Sequence, residues 1–390
     1  MTRPPAAPLD ALAKTCDTRP GEPEDAVQGV TPSYVASPAT LAEASELMRT
    51  AAEHELSVVP RGAGTKIHWG APPERCDLVI DTRRLARLIE HAAGDLVVKA
   101  EAGLPLAELQ EVVAGTRQQL AIDELVPGAT IGGMLATASS GPRRLLYGSA
   151  RDLLIGITVV RADGVVAHAG GKVVKNVAGY DLGKLFTGSR GTLGLITEAA
   201  FRLHPLPQAS AYVTATADDA ARALELTRAL LHSALVPAAI EVNGPGPISV
   251  SVLLEGLAEA VPQRAETARE LIGGEITAEP PAWWGRLPEG EVIAEVRAAP
   301  SKLISIFAEE PGRVRGSTGR GIWHVGLPAG EAEERLTRLR RHGSAVVLSA
   351  PDGARLDRWG ALPTLPLMRR VKDQFDPGHR LSPGRFAGGI

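Results

Sequence analysis

L-V-P-G-A-T-I-G-G-M-L-A-T-A-S-S-G, residues 125–141, is the stretch around which this chain reads as organised. It leads into Tyr147-Gly148-Ser149-Ala150-Arg151-Asp152, an apolar hairpin, K-V-V-K-N-V-A-G-Y-D-L (Lys172 to Leu182) and G-S-R-G-T-L-G-L-I-T-E (Gly188 to Glu198). Glycine reaches positive φ and lets backbone approach a ligand closely, so three clusters of it within about eighty residues favour a cofactor cradle over isolated turns. Gly132 and Gly133 precede M-L-A-T-A, a short helical run whose first turn is expected to offer N–H groups to an anion such as a pyrophosphate.

Upstream, Leu56 to Pro60 reads as an apolar strand running into Arg61-Gly62-Ala63-Gly64-Thr65-Lys66. Two glycines two apart let successive N–H groups turn inward as an anion concavity. Ile67 stands where a Rossmann fingerprint needs glycine, so no NAD site is read here. Residues 1–30 are Pro-rich and polar, which predicts a flexible arm. Ser37-Pro38 reads as a helix start ahead of Leu41, Ala44, Leu47, Met48 and Ala51 at helical spacing. Asp77–Asp81 and Leu96–Ala100 read as strands, Pro105 opens a second amphipathic helix, and Ala162-Asp163-Gly164 is a hairpin turn. Pro205 and Pro207 mark the exit from this domain.

From Ala211 the pattern changes to two successive βαββαβ units, Tyr212–Ala278 and Glu291–Ser349, the signature of a duplicated ferredoxin-like domain. A last helix is expected over Leu365–Phe375.

Composition narrows the function classes. With 390 residues, 22% charged and a formal net charge of −3, nothing points to nucleic acid or an anionic membrane surface. Cys16 and Cys76 are the only cysteines, which argues against a disulfide framework and leaves too few thiolates for an iron–sulfur cluster. No run approaches eighteen apolar residues and the N-terminus lacks a signal-peptide core, so a cytoplasmic protein without a direct membrane span is expected.

Taken together, G-G-K-V-V-K-N-V-A-G-Y-D-L (Gly170 to Leu182) and D-P-G-H-R-L-S-P-G-R-F (Asp376 to Phe386) resemble the FAD-binding E subunits of bacterial glycolate oxidase. Those subunits belong to the vanillyl-alcohol oxidase/PCMH-type FAD-binding family. The resemblance implies an α+β fold: a PCMH-type FAD-binding domain at 31–205, a ferredoxin-like cap at 206–364, and a helix and tail at 365–390 that return to the first domain. It implies FAD held by Arg61, Gly62, Ala63, Gly64, Thr65, Pro127, Gly128, Ala129, Thr130, Gly132, Gly133, Thr137, Gly141, Arg151, Gly194 and Ile196. Many relatives bond the flavin covalently through a histidine at the position of Thr65, so non-covalent FAD is expected here, and His68 is not read as a substitute.

The implied activity is oxidation of glycolate or a similar small 2-hydroxy acid by hydride transfer to FAD, with a second FAD-binding subunit and an iron–sulfur subunit as partners. The implied location is cytoplasmic, peripheral to the inner membrane through those partners. The alternatives are an electron-relay or structural subunit without its own turnover, and a self-sufficient D-lactate-type dehydrogenase. A carboxylate needs a cation and its hydroxyl a base, for which Arg320, His324, Arg380 and Arg385 are the candidates. Two departures favour an accessory role. Gly319–Pro328 carries His324 without the second histidine of metal-holding relatives, so no metal is expected, and Arg190 stands where many relatives have glutamate. The basic helix Glu334–His342 reads as a solvated face.

Overall fold

The computed structural model describes residues 6–171, 181–244 and 246–390. The K-V-V-K-N-V-A-G-Y part of the family motif therefore lies outside the described residues.

The first lobe is a four-stranded sheet in the order Asp17–Pro20, Tyr34–Ser37, Leu78–Asp81, Val58–Arg61. The last three run parallel, and the helix Leu41–Glu53 makes the crossover between Tyr34–Ser37 and Val58–Arg61. Its Ala44, Leu47, Met48 and Ala51 lose all contact with solvent, as the helical spacing requires. The cap is Thr40, whose Oγ1 accepts from the N–H of Glu43, while Glu43 accepts from the N–H of Ala39. Ser37 closes the preceding strand, so the expected Ser37-Pro38 start is displaced by pairing in the sheet.

Residues 6–30 are not a loose arm. Ala6–Ala13 is helical, Asp17–Pro20 pairs antiparallel with Tyr34–Ser37, and Leu12 and Val27 are fully buried. Their few apolar groups are spaced irregularly because helix and strand each span only one or two turns or pairs. Asp25 is also buried, and it meets Arg19 at 2.6 Å and Arg61 at 3.1 Å. These contacts hold its carboxyl well below its ordinary 3.8, at about 2, with Arg19 the largest cause.

The second lobe is an antiparallel sheet in the order Leu88–Ala92, Val97–Glu101, Leu195–Arg202, Leu154–Val160, Val166–Gly170. The helices Leu106–Ala114 and Ile131–Thr137 pack on it through Leu109, Val113, Ile131 and Leu135. The hairpin tip at Gly164, at φ +81°, lies on the first lobe, where Ser45 Oγ donates to its carbonyl.

Eight antiparallel strands form the cap sheet, built from two βαββαβ units joined where Ala239–Gly244 pairs with Val314–Ser317. Strand alternation separates its faces. Val292, Ala294, Val296, Trp323, Val325, Ala345 and Val347 enter the core beneath the four helices. Ile293, Glu295, Arg297, Ile322, His324, Ser344, Val346 and Leu348 take the opposite face, and Trp69 of the first lobe packs there on Ile293 and Leu348. Three of the four arginines in the basic helix segment are paired: Arg335 meets buried Glu310 at 2.5 Å, Arg338 meets Glu309 and Glu334, and Arg340 meets Asp357.

The helix Leu365–Phe375 and the tail return to the first domain, where Ser382 N donates to Val58 O and Val58 N to Arg380 O. Lys372 is wholly buried and spends its three donors on Thr192 O, Leu381 O and Asp376.

Candidate functional site

Two connected hollows lie where the first domain faces the cap. The smaller, about 80 Å3, is walled by Arg61–Ile67, Thr130, Gly133, Thr137, Arg190, Gly191 and Arg385. The larger, about 1320 Å3, runs on between Thr137–Ser140 and the open face of the cap sheet, and Trp69, Thr137 and Arg190 belong to both.

The strand Val58–Arg61 ends at the mouth of the small cleft, and Arg61 is fixed there by Asp25 and Asp81. Arg61 is thus a structural post, with its charge answered. Beyond it, the N–H groups of Ala63, Gly64, Thr65 and Lys66 meet no acceptor among the described residues. Gly64 sits at φ +78°, and a Cβ on Gly62 would lie 2.2 Å from Thr130 Oγ1, so the turn needs both glycines. Gly128, at φ +81°, lies close enough that a Cβ there would stand 3.6 Å from the Thr65 methyl.

The cleft is rich in buried cations. Lys66 is buried and pushed down to about 8 by desolvation. Arg385 donates one guanidinium nitrogen to Ile67 O and Trp69 O, and its other terminal nitrogen has no partner. Arg190 stacks over the Trp359 ring at 5.1 Å, and its Nη1 is likewise buried and unpartnered. Burial pushes both guanidiniums down, to about 10. Unpaired buried cations are costly, so a fitting occupant is anionic. Free loop N–H groups beside two orphaned guanidiniums suit a pyrophosphate.

The expected role of the short helix Ile131–Thr137 is corrected. Ile131 N donates to Leu104 O, Gly132 N to Ala102 O, Gly133 N to Thr130 Oγ1 and Met134 N to Thr130 O. Its first turn therefore has no free donor for a phosphate. Gly132 is glycine because a Cβ would stand 2.8 Å from that of Ala102, whereas Gly133 does face the cleft.

Other expected cofactor residues, Thr137 apart, also lie outside the cleft. Ala129 N is bound to Glu124, and Pro127 is exposed beside it. Gly141 makes room for Asp123, and Gly194 sits under Phe186. Ile196 is buried in the second-lobe core. Arg151 is exposed at the edge of the large chamber, and Thr137 lines both hollows.

Of the four catalytic candidates, two face the chamber. Arg380 is not among them: it ties the tail to Ala162 O and Leu56 O. Arg385 belongs to the small cleft. Arg320 lines the chamber, and its Nε and Nη2 both donate to the carbonyl of Arg144, at 3.1 and 2.9 Å.

His324 is the one best placed for chemistry. The sheet register sets it between Arg315 and Glu295, with Glu295 Oε2 at 3.6 Å from its Nε2. Burial alone would raise the Glu295 carboxyl, but His324, Arg297 and Arg144 outweigh it and hold it below its usual range. His324, without a second histidine beside it in sequence, thus has an acidic neighbour supplied by the adjacent strand. Period-two alternation puts both residues on one face, but only the pairing of Val292–Arg297 with Ile322–Leu327 sets them opposite. Lys66, Arg144, Glu295 and Trp359 were absent from the expected set. Lys66 had a signal, its place in the glycine loop; the others become neighbours only through the fold.

Comparison with known proteins agrees with this layout. Residues 32–170 match the family described as FAD binding domain. The chain is 30% identical over 363 residues to glycolate oxidase subunit GlcE of Escherichia coli strain K12, covering 87% of this chain and 95% of that protein. It is 33% identical over 211 residues to glycolate oxidase subunit GlcD of Bacillus subtilis, covering 54% of this chain but 45% of that protein. The D-lactate dehydrogenase of Archaeoglobus fulgidus is 36% identical over 211 residues, covering 50% and 46%. The chain thus spans about half the length of several relatives it matches. In fold it is similar to p-cresol methylhydroxylase with substrate bound, at a TM-score of 0.76 and 15% identity over 97% of this chain and 96% of that one.

Proposed function

We propose, from the premise that this chain belongs to the PCMH-type, FAD-linked oxidoreductase family that includes glycolate oxidase subunit GlcE, that it oxidises a small 2-hydroxy acid such as glycolate. FAD, held without a covalent link, would supply the acceptor for the hydride on the substrate α-carbon. The chain's own residues do the rest. Residues 31–205 form the FAD-binding domain, and the loop Arg61–Lys66 with Arg190 and Arg385 receives the pyrophosphate. Residues 206–364 form the cap over the substrate.

His324 takes the substrate's hydroxyl proton, and Glu295 behind it stabilises the resulting imidazolium. The observation that carries this reading is the His324–Glu295 pair on the face of the cap sheet that lines the chamber. No helix among the described residues is long and apolar enough to cross a membrane. The reading extends to assembly with a second FAD-binding subunit and an iron–sulfur subunit, on the strength of the coverage of GlcE.

The test is anaerobic addition of glycolate and D-lactate to the FAD-loaded chain, followed through the visible absorbance of the oxidised flavin. Bleaching in wild type that slows at least a hundredfold in His324→Gln supports turnover in this chain. An unbleached flavin in the isolated chain and in the assembled complex with its partners' flavin removed assigns it to electron relay instead.

A further inference from the structure

We propose that Arg144 is the cation that holds the substrate's carboxylate. This rests on the 2-hydroxy-acid reading above and deepens it.

The sequence S-S-G-P-R-R-L-L-Y (Ser139 to Tyr147) carries two adjacent arginines with opposite fates. Arg143 points to the cap and is answered twice, by Asp123 at 2.5 Å and Glu255 at 2.7 Å. Arg144 opens the short helix Arg144–Tyr147 and turns into the chamber. Its Nε donates to Gly141 O at 3.0 Å, and its two terminal nitrogens make no hydrogen bond or ion pair among the described residues. A half-buried guanidinium with a free two-pronged end is shaped for one carboxylate.

The other cations lining the chamber are engaged or misplaced. Arg297 is bound by Glu295, Arg340 by Asp357, and Lys184 by Asp181. Arg190 stacks on Trp359 at the entrance to the cofactor cleft, and Arg151 is exposed at the edge. Arg320, a sequence candidate for this task, spends its fork on the Arg144 carbonyl instead. It is a positioning residue, a cross-domain strut that fixes the backbone from which Arg144 reaches in.

The geometry also explains why Arg144 remains available. Glu241 shares a wall with it and with His324, but burial raises its carboxyl to about 8, so at neutral pH it brings no charge to pair. Arg144 comes from the first domain and His324 from the cap. A 2-hydroxy acid held by its carboxylate on one wall thus presents its hydroxyl to the other.

The test uses oxalate, which offers the carboxylate but has no α-hydrogen to lose, with the FAD-loaded full chain and titration calorimetry. Wild type binds oxalate, Arg144→Gln weakens it at least tenfold, and Arg144→Lys recovers part of the loss. Arg320→Gln weakens it two- to fivefold, with flavin content and far-ultraviolet circular dichroism unchanged in each. Arg143→Gln lowers the melting temperature instead, because buried Glu255 loses its cation and keeps only the Tyr147 hydroxyl. Oxalate affinity within twofold of wild type in flavin-loaded Arg144→Gln, or loss of binding in Arg151→Gln alone, overturns the assignment while glycolate still bleaches the wild-type flavin. A wild type that neither binds oxalate nor is bleached by any 2-hydroxy acid overturns both this assignment and the reading beneath it.

Discussion

In the cleft behind Arg61–Ile67, the buried cations Lys66, Arg190 and Arg385 meet no acid among the described residues. In the chamber under the cap sheet, Arg297, Arg340 and Lys184 each have a carboxylate within 3.3 Å. The contrast locates negative charge that the chain does not itself contain. A fold does not leave several guanidiniums buried and unmatched unless a ligand completes them, because each costs several kcal/mol. The cleft therefore expects a multiply charged anion. The chamber, where the Arg144 fork makes no ion pair among the described residues, expects a single carboxylate.

The strongest way to break this contrast is Arg190→Met. The change keeps the stacking volume near Trp359 and removes the charge. FAD affinity is expected to fall about a hundredfold, near 2.7 kcal/mol. The flavin-free protein should melt at a higher temperature, since an unpaired buried cation has been relieved. Opposite signs in the two measurements, by flavin fluorescence titration and thermal melting, are the diagnostic. A flavin-free protein that is destabilised, with FAD affinity unchanged, would make Arg190 a packing residue.

Two adjacent glycines sharpen the same boundary. Gly132→Ala places a methyl 2.8 Å from Ala102 Cβ, in a helix-to-loop contact that cannot widen cheaply, so stability should fall by about 1–3 kcal/mol. Gly133→Ala meets only Thr130 Oγ1, at 3.2 Å, and gains helix propensity, so the fold should hold. Its methyl enters the cleft, and FAD affinity should drop severalfold. Urea unfolding and flavin titration on both variants separate the roles; equal affinity losses would mean that neither role is local.

These two glycines also show what the sequence could tell. The doublet marked the right turn, but it said nothing of Ala102, about thirty residues upstream, whose carbonyl takes the N–H of Gly132. The same limit explains the N-terminal segment, where Asp25 looks like one more polar residue until Arg61 comes alongside it. Local features survived translation into structure: the crossover helix Leu41–Glu53, the Asp-Gly hairpin at Asp163-Gly164, and the duplicated unit of the cap. What was lost was strand pairing. His324 looked solitary because Glu295 is its neighbour across a sheet, and Arg144 went unnoticed because its freedom is defined by what Arg143 and Arg320 do.

Asp25→Asn tests whether that N-terminal segment supports the cofactor loop. The Asp25 carboxyl lies at about 2, below its ordinary 3.8, so it contributes stability in full above pH 4 and loses it as pH falls toward 2. The asparagine variant should be less stable by about 1–2 kcal/mol at pH 7, with a shallower decline in acid. Urea midpoints from pH 7 down to 2.5 check this. Two curves that stay parallel throughout would show that the Arg19 and Arg61 contacts contribute nothing.

The smallest effect concerns the chamber side of the contrast, through Glu241. Desolvation of this buried side chain, together with the Asp123 charge, outweighs Arg144, Arg315 and Ser317 and raises it from 4.5 to about 8. Below pH 4.5 it is protonated whether the chain is folded or not, and it exerts no pH-dependent effect. Between 4.5 and 8 the unfolded chain ionises it and the folded chain does not, so folding takes up a proton and stability declines as pH rises. Above 8 both states are ionised and the decline ends. Glu241→Gln removes this penalty while keeping the shape. The variant should match wild type near pH 4 and exceed it by on the order of 1 kcal/mol at pH 8.5, the value being small because Arg144 and Arg315 relax toward the charge. The opposite result, a variant weakened at pH 7 and above, would mean that Glu241 is ionised and paired with Arg144. In that case Arg144 would be one more answered cation, and the chamber would lose the free fork that sets it apart from its neighbours.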